Sequence, residues 1–354
     1  MTEPRPQRPP TQRPPTLRDV ARLAEVDSSV VSRVLRGASG ANVRPETRER
    51  IEQVARDLGY SPNPLARGLR TQRTDCLALV VPQLDNPVFQ QIAQGAERAA
   101  AARGFALVTY HVRDAAQERE RLEHLVRSIR VDGVVIATLM MAGDAHQFFE
   151  RLGLPCVLVN REAPGVPNFV SADDEAGAHL ATAHLLRLGH RRIAHIAGPH
   201  GRYNAIRRRE GYERALREAG VAPEARLVVP AEYSFEGGRV AMATLLNAGM
   251  TAVFATTLLS GIGALRTLAD AGRRVPEDVS VIALHDAPVA EMVTPPLTTV
   301  RFPTEAMGAD AVDAVIDQIV GQIEGQIDGQ PRRLERRLAP EGLIERGSCA
   351  PPRG

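Results

Sequence analysis

From Asp75 onward the chain alternates between short β-branched runs and longer amphipathic stretches, and no other feature limits its fold as much. The runs Leu77 to Val81, Ala106 to Tyr110, Gly133 to Ala137, Cys156 to Asn160, Ile193 to Ala197, Val253 to Ala255 and Val279 to Leu284 read as buried strands. Helical stretches fall between and after them: Val88 to Arg103, Gln117 to Ile129, Ala176 to Leu188, Ala205 to Ala219, Gly237 to Leu246, Ile262 to Ala271 and Glu305 to Ile323. Strands separated by helices run parallel, with right-handed crossovers. About 270 residues of this pattern exceed one ordinary sheet, so two doubly wound lobes are expected, with any ligand at the carboxyl ends of the strands. Apolar residues make up 44% of the chain but aromatics only 4%, with no Trp, so both cores must be built from Ala, Val, Leu and Ile.

The first 74 residues follow another rule. Up to Arg73 there are 14 arginines against 8 acids, leaving 30 arginines against 34 acids for the rest, so positive charge concentrates at the front. Residues 1–15 are Pro, Arg and Gln with nothing to bury, and are read as a disordered arm. Thr16 and Asp19 resemble a capping box ahead of a helix whose Leu17, Val20, Ala21 and Ala24 share a face. After a break at Glu25 and Val26, Asp27 caps a second helix, Ser28 to Leu35, and Pro45 starts a third that Gly59 ends. Three short helices with a tight turn between the first two make a helix-turn-helix unit over 16–60. Pro62 and Pro64 interrupt any continuation, so 61–74 is a linker holding at most two helical turns at Leu65 to Arg70. Near the other end, the repeat beginning Gln318-Ile319-Val320-Gly321 reads as a slipped duplication in a surface linker.

Cys76, Cys156 and Cys349 are too few and too scattered for a disulfide framework or a zinc site, which fits a reducing cytoplasm. With no apolar leader and no run of about 18 apolar residues, neither export nor membrane insertion is expected. No GxSxG, P-loop or GxGxxG follows a strand, so the residues point to no enzyme and to no cofactor.

In order along the chain, TLRDVARLAEV, VSRVL, RPETRERI, LGYSPNPLARGLRT, VVPQLDNPVF, LLRLGHRRIAHIAGP, RRREGYERAL, RVPEDVSVIAL and TPPLTTVR resemble the lactose/galactose repressor (LacI/GalR) family of transcription factors. The resemblance spans Thr16 to Ser348. It implies a helix-turn-helix headpiece with a hinge helix, followed over 75–348 by a two-lobed, periplasmic-binding-protein-like effector module of doubly wound parallel sheets. Lobe crossovers would lie near 171–173, 299–302 and 325–335, with a short tail at 349–354. The implied function is a homodimeric regulator, most naturally a repressor, that binds a pseudo-palindromic double-stranded DNA operator and answers to a small carbohydrate-like effector. A regulator with a non-sugar, protein or no effector, or a solute receptor of the same fold, are the other readings.

The resemblance also assigns residues. Ser28, Ser29 and Arg33 would face base edges, and Arg33 can make two parallel bonds to a guanine. Leu17, Ser32, Thr47 and Asn63 would approach the phosphate backbone, while Leu69, beside Ala66, would wedge into the minor groove. Two acids are unusual here: Asp27 stands where Ser is usual, and Glu25 where a small turn residue is usual. The effector pocket would draw on Asn86, Phe89, Asn160, Arg208, Tyr233, Thr257, His285 and Asp286. Thr257-Leu258, Asn160 and His285-Asp286 replace residues that usually carry more acceptor strength. The effector is therefore an unusual sugar, an anion drawn by Arg208 and His285, or absent.

Overall fold

The computed structural model describes residues 15–35, 43–60, 73–112, 120, 123–124, 128, 130–138, 145–163, 165–166, 168–324 and 334–353. It divides into two compact units, Met1–Thr74 and Asp75–Gly354.

In the first unit α1 is Leu17–Leu23, α2 Ser28–Val34 and α3 Pro45–Asp57. The Asp19 carboxylate accepts from both the backbone N–H and the hydroxyl of Thr16, at 2.9 and 2.7 Å, so the shorter acid closes the first turn. Asp27 accepts from the Ser29 N–H at 2.7 Å and starts α2. Between these helices Glu25 takes φ 51°, a left-handed conformation that glycine adopts at lower cost. Val20, Ala21, Ala24, Val31, Val34, Ile51 and Ala55 form the core, one stripe from each helix. The 61–72 linker, with the Leu65 to Arg70 turns, lies outside the described residues.

The second unit holds two six-stranded sheets. The first contains β1 Cys76–Val81, β2 Ala106–His111, β3 Gly133–Ile136, β4 Cys156–Val159, β5 Asn168–Ala172 and β11 Leu334–Leu338, in the order β11-β5-β4-β3-β1-β2. The second contains β6 Ile193–Ala197, β7 Val228–Pro230, β8 Ala252–Ala255, β9 Ser280–Leu284, β10 Thr298–Arg301 and β12 Gly342–Ile344, in the order β12-β10-β9-β8-β6-β7. The lobes therefore repeat one topology, and among the described residues only the β10–β12 pairing is antiparallel. All seven expected strands are present, and β5, β7, β10, β11 and β12 are additional. β7 and β12 are edges of only three residues, too short to stand out as strands, and β11 is the charged edge Leu-Glu-Arg-Arg-Leu.

The helices of this unit are α4 Pro87–Ala102, α5 Ala145–Leu152, α6 Asp174–Arg187, α7 Tyr203–Glu218, α8 Phe235–Leu245, α9 Leu258–Asp270, α10 Val289–Met292 and α11 Thr304–Glu324. Most of the stretch expected to be helical from Gln117 to Ile129 lies outside the described residues. α6 leaves the first sheet and packs on α7 in the second lobe, whereas α11 leaves the second sheet and packs on α4 in the first. Both helix pairs approach closely at the ninth residue of α4 and of α7. A Cβ on Gly95 would stand 1.8 Å from the Glu305 carbonyl oxygen, and one on Gly211 2.2 Å from that of Glu175.

Two expectations change. β11 pairs with β5 as far as Leu338, so the third lobe crossing falls at 339–341, beyond the 325–335 expected. The surface-linker reading also fails at its start: α11 continues to Glu324 and buries Ile319 in the first lobe, because the Gln318 repeat keeps an apolar residue facing the sheet. Among the described residues no helix is long and apolar enough to cross a membrane.

Candidate functional site

The headpiece offers one polar helix face. On α2, Val31 and Val34 are buried, while Ser28, Ser29, Ser32 and Arg33 share the opposite arc of roughly 140°. Ser29 and Arg33 are exposed, and Ser28 and Ser32 half-buried. Leu17 packs partly on the core and Thr47 is half-buried in the first turn of α3. Asn63, Ala66 and Leu69 lie outside the described residues. Hydrogen bonds from Ser29 hold the Asp27 carboxyl below its ordinary value, so it is ionised at the amino end of α2.

In the second unit, a cavity of about 140 Å³ opens where the carboxyl ends of the strands of both lobes converge. That size admits one six-membered ring. Strand register makes the lining pseudo-symmetric. Thr138 and Thr257 each stand two residues past β3 or β8, and Asn160 and His285 each stand one past β4 or β9. Asn160 and His285 both adopt left-handed backbone, φ 56° and 68°, which turns the chain sharply at the strand end.

Arg208 organises this space. Its side chain is buried, with Nε donating to Asp174 Oδ1 at 2.6 Å, Nη1 to the Thr256 carbonyl at 3.0 Å and Nη2 facing His285 Nε2 at 3.3 Å. The guanidinium also lies 5.5 Å from the centre of the Tyr233 ring. Asn204 donates to the other Asp174 oxygen at 2.6 Å. Burial holds the Asp174 carboxyl above its ordinary value, a shift that the Arg208 charge and the hydrogen bonds from Arg208 and Asn204 reduce without reversing. His285 is pushed down to about 3, first by burial and then by the Arg208 charge. His285 is therefore neutral and cannot draw an anion, and the Arg208 charge is met by a buried carboxylate.

Seven of the eight expected pocket residues line this cavity: Asn86, Phe89, Asn160, Arg208, Tyr233, Thr257 and His285. Two of them have hydroxyl or amide groups already engaged. Asn86 Oδ1 accepts from the Val88 N–H and starts α4, and Thr257 and Ser260 cap α9 reciprocally. Asp286 is not among the lining residues. Its carboxylate is held by Thr299 at 2.6 Å, Arg346 at 2.8 Å and Arg301 at 2.8 Å, while His285 takes the position that lines the cavity. Thr138, Arg161, Arg202, Asn204 and Glu232 also line the cavity and were missed. The internal repeat was the signal for Thr138, since it matches Thr257. Thr138 Oγ1, Asn160 Oδ1, Tyr233 OH and His285 Nδ1 are all buried without a hydrogen-bond partner among the described residues. Four such groups in one cavity are unusual in a protein that binds nothing there.

A family model described as bacterial regulatory proteins, lacI family, matches residues 16–63. A second, described as a periplasmic binding protein-like domain, matches residues 182–349. The HTH-type transcriptional regulator CelR of Thermobifida fusca is 39% identical over 305 residues, which are 83% of this chain and 88% of that protein. A solved transcriptional regulator CelR–cellobiose complex superimposes with a TM-score of 0.70 at 36% identity, covering 94% of this chain and 99% of that one. The lac repressor dimer bound to operator and the anti-inducer ONPF gives a TM-score of 0.81 at 27% identity, covering 96% and 100%.

Proposed function

The chain belongs to the lacI family of bacterial regulatory proteins, and from that premise we propose a dimeric, cytoplasmic repressor released from its operator by a neutral sugar. It is a DNA-binding transcriptional regulator. Ser28, Ser29 and Arg33 face the bases from α2, and Leu17, Ser32 and Thr47 set its register on phosphate. On the resemblance alone, Asn63 approaches the phosphate backbone, and Leu69, beside Ala66, wedges into the minor groove. With operators selected from a random pool, Arg33→Ala is expected to cost about 1–3 kcal/mol at one guanine per half-site and flatten preference there. An unchanged base preference would remove Arg33 from the reading.

The observation that carries the effector reading is the set of four unpartnered polar atoms around a ring-sized cavity, beside an arginine already neutralised by Asp174. Such a space favours an uncharged molecule with many hydroxyls and an apolar face for Tyr233. The similar CelR structure holds cellobiose. Calorimetric titration of the full chain with cellobiose, glucose, galactose and ribose, beside glucuronate and glucose 6-phosphate, tests this. At least one neutral sugar is expected to bind and to weaken operator binding. Binding confined to the anions would show that Arg161 and Arg202, which also line the cavity, dominate instead.

A further inference from the structure

We propose that His285 is the specificity-determining donor of the effector pocket: its Nδ1–H reads an acceptor oxygen on the ligand, an ether oxygen or a carbonyl. The proposal rests on the effector reading above and adds the polarity of one contact. Its starting point is the 3.3 Å approach of Arg208 Nη2 to His285 Nε2. A guanidinium has only donors, so Nε2 must offer its lone pair. A neutral imidazole carries one proton, which therefore sits on Nδ1.

Arg208 is not free to turn and change this. Asp174 holds its Nε, the Thr256 carbonyl holds Nη1, and the Tyr233 ring lies against the guanidinium. The groups facing the imidazole are the Arg208 cation and the Phe302 ring, whose centre is 5.1 Å away. Burial and the Arg208 charge keep the ring unprotonated through the physiological range. His285 is 2% exposed, lines the cavity, and leaves Nδ1 without a partner among the described residues. A buried N–H of this kind is satisfied by a ligand acceptor.

Asn160 makes the contact directional. It stands at the matching position of the other lobe, also lines the cavity, and its buried Oδ1 is an unpartnered acceptor. The two lobes thus present opposite polarities from equivalent positions. A ligand with a hydroxyl toward Asn160 and an acceptor oxygen toward His285 satisfies both, whereas an ether or carbonyl oxygen turned toward Asn160 leaves the Asn160 Oδ1 unpaired.

The test pairs a measurement on the protein with a titration. In the full chain labelled with ¹⁵N-histidine, the His285 resonances, assigned by their loss in His285→Asn, are expected to report a protonated Nδ1 and a bare Nε2. Binding of whichever of cellobiose, glucose, galactose or ribose the wild type takes is expected to move the Nδ1 signal. His285→Asn keeps a donor of similar reach and should bind that sugar within about fivefold of wild type, whereas His285→Asp, an acceptor only, should lose roughly 10- to 100-fold. Circular dichroism at the titration temperature establishes that each variant is folded. A protonated Nε2, an Nδ1 signal that ignores the sugar, or an Asp variant that binds as well as the Asn variant overturns the donor assignment while leaving the sugar reading intact. If none of the four sugars binds the wild type, the effector reading and this proposal fall together.

Discussion

Replacing Asp174 with alanine is expected to cost the second unit roughly 3–5 kcal/mol and lower its melting temperature by on the order of 10 °C. Asp174 is 4% exposed and accepts from Arg208 and Asn204, both at 2.6 Å. Its removal strands a guanidinium that is 3% exposed and cannot lose its proton. The penalty comes from that stranded charge more than from the lost attraction, which gives the prediction a second arm. Asp174→Asn, which still accepts one hydrogen bond, should cost less. Adding Arg208→Met to Asp174→Ala should recover most of the loss, because no buried charge then remains. Thermal unfolding of the three variants measures this. An Asp174→Ala protein within about 1 kcal/mol of wild type would mean that the pair is not desolvated as its geometry requires. The same substitution should abolish sugar binding, since Arg208 positions both Tyr233 and His285.

The second large effect is a loss of stability between pH 8 and pH 5 to which two buried imidazoles, His195 and His285, contribute most. His195 is pushed down to about 4, chiefly by burial, and is stacked between Tyr212 and Phe254 at 5.0 and 4.6 Å; His285 is pushed down to about 3. Both groups titrate near 6.5 when unfolded. As pH falls below 6.5 the unfolded chain takes up protons that the folded chain refuses, so stability decreases steadily down to about pH 4 for His195 and about pH 3 for His285. At pH 5 each contributes about 2 kcal/mol of destabilisation relative to pH 8. Burial lowers His184 and His190 as well, with the same sign. Unfolding of the second unit in urea at the two pH values should differ accordingly. His195→Phe, which preserves the ring stack, should remove about 2 kcal/mol of the difference. Equal midpoints at pH 8 and pH 5 would contradict the burial of these rings.

Both effects come from groups whose chemistry the sequence left open. Arg208 and His285 are recognisable in the sequence as pocket residues, and an anion drawn by the pair is one of the three outcomes they leave open there, beside an unusual sugar and no ligand. Asp174 decides otherwise, and nothing in its local sequence separates it from the two acids beside it, Asp173 and Glu175. Asp173 caps α6 through the Ala176 N–H, Glu175 pairs with Arg207 and Arg214, and only Asp174 turns into the core to meet an arginine 34 residues later. Asp286 stays out of the cavity lining for a related reason. The left-handed turn at His285 ends the strand's alternation, and the Asp286 carboxylate is taken by Thr299, Arg346 and Arg301.

Local regularities carried the rest. The alternation after Asp75 was enough for two parallel sheets, because an apolar β-branched run between helices has few other places to go. Thr16, Asp19, Asp27, Pro45 and Gly59 placed the headpiece helices, since caps and stops act within one turn of the backbone. Partners that are distant in sequence were decided only by tertiary structure: which acid neutralises Arg208, which edge β11 joins, and which proton His285 keeps. Those depend on burial and on distances of a few ångströms between segments far apart in sequence, as in the pairing of Leu334 with Asn168, 166 residues away. No pattern along the chain encodes them, because desolvation exists only once the lobes have folded around the groups concerned.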